Sequence, residues 1–147
     1  MEIKTSLKAV ILIIFLMIPN IVYFIAPPSN IPQTLGSKVK LIELGENVSR
    51  IISFLLLIFM CKNPNASLKN PWLIGVAIFL MLYFAVWARY FLKGSSYELL
   101  CKSFLGIPMP MIIFPTCCLI CAALWLNCIS AVIALIIFSM FHSFSLL

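Results

Sequence analysis

From Ile107 to Phe144 the chain runs for 38 residues with hardly a polar side chain. As one straight helix that stretch would reach about 57 Å, nearly twice the roughly 30 Å of a bilayer's hydrocarbon. Two passes fit better, Ile107–Leu126 and Cys128–Phe144, with a tight turn near Asn127. The alternative is a single long helix, giving four spans in the whole chain instead of five. Pro108, Pro110 and Pro115 predict an irregular, partly unwound start to the first of these passes. Water cannot be the solvent for so much grease: 64% of the 147 residues are hydrophobic and 10% are charged, against about 25% charged in soluble domains.

The rest of the chain reads the same way. Ala9–Ala26 is an apolar run of 18 residues, about 27 Å of helix, broken near its middle by Pro19 and Asn20. Lys4 and Lys8 before it mimic a signal peptide. The run ends in Pro27-Pro28, unlike a small-residue cleavage site, so a retained first span is expected. Pro27, Pro28, Pro32 and Gly36 predict a loop to Lys40. A third span begins at Pro71-Trp72, proline suiting a helix start, and runs through Arg89, with Gly94 as a stop signal. Ser95 followed by Glu98 has the capping-box pattern and predicts a short interfacial helix to about Phe104.

The second span is the odd one. Its uninterrupted apolar part, Ile51–Cys61, has 11 residues and reaches only about 16 Å. To cross, the helix must extend back to Leu41, carrying Glu43, Glu46, Asn47 and Arg50 toward the membrane. The sequence therefore predicts one all-α domain, residues 1–147. It is a transmembrane bundle with spans near 9–26, 41–61, 71–89, 107–126 and 128–144.

The stretch Trp87-Ala88-Arg89-Tyr90-Phe91-Leu92-Lys93-Gly94, then Leu99-Leu100, Gly106-Ile107-Pro108-Met109-Pro110-Met111 and Phe114-Pro115, resembles a family of small multi-pass bacterial membrane proteins. The likeness extends to Glu43, Gly45 and His142, with Ser139 standing where relatives have a small residue shortly before the histidine. It implies a helical protein of the bacterial inner membrane and implies no activity.

Charges at membrane depth are costly, about 2.5–3.5 kcal/mol each on insertion scales, and usually face a bundle interior or a wet cavity. Spacings of three, four and seven put Glu43, Glu46, Asn47 and Arg50 on one helix face. Five alternating spans would bring that face to the same side as Arg89, Tyr90 and His142, together with Tyr23 and Glu98. These residues form a candidate vestibule for an ion, a proton or an anionic group. The competing reading is ordinary anchoring of span ends in headgroups. The basic residues divide almost evenly between the two sides, and the side holding Lys38, Lys40, Arg89, Lys93 and Lys102 is slightly favoured as cytoplasmic.

Six cysteines, among them Cys117, Cys118 and Cys121, lack the second ligand pair of a zinc site and the βαβ setting of a redox motif. They read as small packing residues, and no cofactor or metal is expected. No phosphate loop, zinc-protease motif or nucleophile elbow is present. The net charge of +6 is scattered, which argues against nucleic acid. Two function classes remain in view. One is a small transporter or ligand-binding membrane module, expected to act as a homo-oligomer or with a partner subunit. The other is a non-catalytic subunit, immunity or assembly factor. An intramembrane enzyme is a distant third.

Overall fold

A computed structural model describes residues 4–29 and 37–146. Among them are six helices: α1 (Leu7–Ile25), α2 (Ser37–Phe59), α3 (Trp72–Leu92), α4 (Tyr97–Cys101), α5 (Pro110–Trp125) and α6 (Ile129–Leu146). The predicted loop before Lys40 lies partly outside the described residues, and α2 already begins at Ser37. Two helices, α1 and α3, are long and apolar enough to cross a membrane; α5 and α6 are shorter apolar helices.

The five long helices alternate in direction. α2 lies antiparallel to α6, since Cys128 at the start of α6 donates to Leu56 O at 3.4 Å while His142 meets Glu46. α3 lies antiparallel to α5, with Cys118 Sγ donating to Val76 O at 3.6 Å. α5 and α6 join these two pairs, and α1 rests more lightly against α2 and α3. The end where α2 finishes and α5 turns into α6 is called the lower end here, the opposite one the upper.

Close approach explains the two tight pairings. Gly45, Ser49 and Ser53 recur every fourth residue along α2. The serine hydroxyls bond back to carbonyls of their own helix, Ser49 to Gly45 O and Ser53 to Ser49 O, both at 2.7 Å. Small residues at this spacing let helix backbones near each other. A Cβ on Gly45 would stand 2.7 Å from the Phe141 ring, and one on Gly75 would stand 2.9 Å from Cys121 Sγ.

The turn at Asn127 is built by a helix-ending motif. Asn127 takes a left-handed conformation (φ 55°). Its N–H bonds Leu124 O at 3.2 Å and that of Cys128 bonds Ala123 O at 2.7 Å. This is the Schellman pattern, and asparagine is among the few residues other than glycine that suit its left-handed position. Gly94 (φ 93°) ends α3 in the same manner, Ser95 N reaching Tyr90 O at 3.0 Å.

The expected capping box at Ser95 does not form. Ser95 is spent in the left-handed turn (φ 54°). Ser96 becomes the N-cap of α4 and makes no side-chain bond. The stop signal and the start signal compete for the same residues, and the stop prevails. α4 is correspondingly short. After it, Phe104 and Ile107 exchange backbone hydrogen bonds at 3.1 and 3.0 Å across Leu105 and Gly106, both left-handed, as in a type I′ turn.

The lower end is stitched by backbone. Ser6 N donates to Ile58 O at 2.8 Å and Asn63 N to Leu126 O at 3.1 Å, while Trp125 Nε1 donates to Ser67 O at 2.9 Å. Lys8 Nζ donates to Ala66 O and lies 5.3 Å from the Trp125 ring centre. The upper end is joined across helices by side chains.

Candidate functional site

At the upper end three charged or titratable side chains meet. Glu46, on the buried face of α2, accepts from Arg50 one turn along the same helix. Its Oε1 also lies 2.8 Å from His142 Nδ1 on α6. The His142 contact is close but not aligned as a straight hydrogen bond. Phe138 serves both bases as a platform: the His142 ring stacks on it at 5.4 Å and the Arg50 guanidinium sits 5.3 Å from its centre. The antiparallel packing of α2 and α6 is what brings position 46 opposite position 142.

Beside this group lies a cavity of about 310 Å³, at the lower bound of sites that hold small molecules. Arg50 and His142 line it; Glu46 sits behind them. The remaining wall is mostly aromatic and aliphatic, including Met17, Tyr23, Phe54, Tyr83, Trp87 and Tyr97, with Asn20 and Cys101 among them. α1 is held over it by a small network. Asn20 Nδ2 donates to both Leu16 O and Tyr83 OH at 3.0 Å, and Tyr83 OH donates to Leu16 O at 3.3 Å. That network stands one residue past Phe15, whose carbonyl Pro19 leaves without its helical donor. Edge-on ring contacts of Tyr23 with Trp87 (6.0 Å) and of Tyr83 with Trp87 (6.3 Å) close the wall. Burial, reinforced by the Cys101 thiol, pushes the Tyr97 phenol above its ordinary value, so it stays a neutral donor.

The other predicted residues lie elsewhere. Glu43 and Asn47 are exposed, both rotated about 60–100° around the helix from Glu46 toward the outer face. Arg89 shapes the chain after α3 through its two terminal nitrogens. It donates to Leu99 O (2.6 Å), Lys102 O (2.9 Å) and Ser103 O (3.0 Å) and lies over the Phe104 ring at 5.0 Å. It thereby satisfies carbonyls at the end of α4 that have no helical partner. Tyr90 is completely buried in a cluster with Tyr23, Trp87 and Phe91. Glu98 is exposed.

All six cysteines are free thiols. Among the described residues no group of three His, Cys, Asp or Glu side chains could hold a metal ion. The sequence reading missed Asn20, Tyr83, Trp87 and Tyr97 as cavity residues. Asn20 was the one legible signal, a polar side chain in the middle of an apolar run. The chain matches no family model, no curated protein and no solved structure.

Proposed function

We propose that this chain is a multi-pass integral membrane protein, all five long helices crossing the bilayer, and that it works as a small ligand-binding module. The observation that carries the binding reading is the cavity, with Arg50 and His142 held at its edge by Glu46. Membrane residence is supported by the outer surface. Phe24, Ile25, Leu41, Met81 and Leu92 are each more than 70% exposed, and a soluble monomer seldom shows such broad apolar area. Alternation of helix direction supports five crossings, with α4 at the upper interface.

The experiment uses Trp87 as reporter, in a chain carrying Trp72→Phe and Trp125→Phe. Trp87 is 3% exposed, so quenchers confined to the surrounding micelle reach it poorly. Neutral 1-bromododecane, added to the purified protein, is expected to quench it saturably. Met111→Phe, which adds bulk to the cavity wall, is expected to weaken that quenching at least fivefold. Quenching that rises linearly with added quencher and ignores Met111→Phe would count against a ligand site.

A further inference from the structure

We infer that the ligand is a single-chain anionic amphiphile, its carboxylate or phosphate head seated on Arg50 and His142 and its apolar chain among the aromatic side chains of α1, α2 and α3. This inference rests on the binding reading above and adds the class of ligand.

The first argument is charge. Arg50 is the one formally charged side chain in the cavity wall, and among the described residues no Asp or Glu lines it. Glu46, which does not line the cavity, pairs with Arg50. A cationic ligand would therefore meet a guanidinium and no carboxylate on the cavity surface. An anion meets attraction in a setting where water is largely replaced by rings.

The second argument is the balance of donors and acceptors. Arg50 spends Nη2 on Glu46 and, among the described residues, makes no other hydrogen bond. The rest of its guanidinium fork remains available, in the geometry that suits carboxylate and phosphate oxygens. His142 turns Nδ1 to Glu46 and has no hydrogen bond at Nε2 among the described residues. The Trp87 indole N–H is buried near the Tyr83 hydroxyl without an aligned acceptor, while its ring lines the cavity. A buried donor left unmade costs about 1–3 kcal/mol. The free part of the Arg50 fork and the Trp87 N–H thus lack aligned acceptors here, and a ligand oxygen would supply one.

The third argument is size and access. About 310 Å³ suits one chain and is small for a two-chain lipid. The wall reaches the surface at Phe24, which is 81% exposed, so a chain already dissolved in the bilayer could enter sideways with its head toward the upper interface.

The test keeps the Trp87 reporter and compares 12-bromododecanoate with its methyl ester. The acid is expected to quench at least tenfold lower concentration than the ester. Arg50→Gln should abolish that preference, weakening the acid's quenching at least tenfold to the level of the ester's. Because Arg50→Gln strands Glu46 without its partner, the double change Glu46→Gln/Arg50→Gln is measured too, and the same loss is expected from it. Competition by lysophosphatidate against competition by palmitate then identifies the head: either one displacing the bromo-acid supports the proposal, and the tighter marks the source. Equal quenching by acid and ester, or tighter competition by hexadecyltrimethylammonium, overturns the anionic ligand yet leaves the binding module standing. Absence of saturable quenching by acid and ester alike removes both.

Discussion

Glu46 shows how much a single position can hold. It accepts from Arg50 and touches His142, so its loss leaves two bases facing each other in a half-buried place. Glu46→Gln is expected to destabilise the protein by about 1–3 kcal/mol, the range for a lost charged partner discounted for Arg50's exposure. The measurement is thermal unfolding in mild detergent followed by circular dichroism. The Glu46→Gln/Arg50→Gln pair should recover at least half of that loss, because it removes the stranded charge. Leu105 offers the opposite case. It is exposed and left-handed (φ 53°), a conformation that costs a leucine about 1–2 kcal/mol. Leu105→Asn should therefore raise the unfolding midpoint; an unchanged or lower midpoint would place the leucine's value in its outward contact instead. The sequence made Glu46 and Arg50 legible because charge in an apolar helix is conspicuous. Arg89 was conspicuous for the same reason, but its role could not be read. Its partners are backbone carbonyls of Leu99, Lys102 and Ser103, and any sequence has carbonyls.

Helices and their turns were mostly legible from hydrophobic runs, and the misses are instructive. The division of Ile107–Phe144 into α5 and α6 rested on one asparagine. Asn127 can adopt the left-handed corner at modest cost, whereas a β-branched residue cannot. Asn127→Val is expected to cost about 1–2 kcal/mol, and Asn127→Gly to be neutral or stabilising, both read from the same melt. Equal effects would mean the corner is not what sets the turn. At Ser95 two local signals share the same residues, and residues 94–96 must end one helix before starting the next. The pairing of α2 with α6 was not foreseen. Gly45, Ser49 and Ser53 carry the signal every fourth residue, but their neighbours Glu43, Glu46 and Asn47 drew attention to the polar reading of the same helix. At the α3–α5 contact, Gly75→Val should push against Cys121, which a Cβ already meets at 2.9 Å. Overpacking of this kind costs about 1–3 kcal/mol.

For the molecule as a whole, the proposed topology makes a direct prediction. In a chain with its native cysteines changed to serine or alanine, Lys69→Cys and Lys93→Cys should react with a membrane-impermeant maleimide from opposite faces of sealed vesicles. Reaction of both from one face would dismiss five alternating crossings. The alternation itself could be anticipated from successive apolar spans, since each crossing must reverse the one before. The cavity could not. It arises because α1 leans across α2 and α3 through rings and one Asn20–Tyr83 network, and such leaning depends on shapes meeting across about sixty residues of chain.

The unequal fastening of the two ends carries a mechanical consequence. Main-chain bonds from residues 6, 62 and 63 knot three segments together below, whereas above the rods are linked by side chains such as Glu46 and His142. A bundle tied at its foot bends like a sheaf: thermal splaying grows with distance from the knot and is largest around Tyr23 and Phe24. Amide exchange along α1 should accordingly quicken from Ala9 toward Ile25, and whatever slips between the stems would do so where they part most easily.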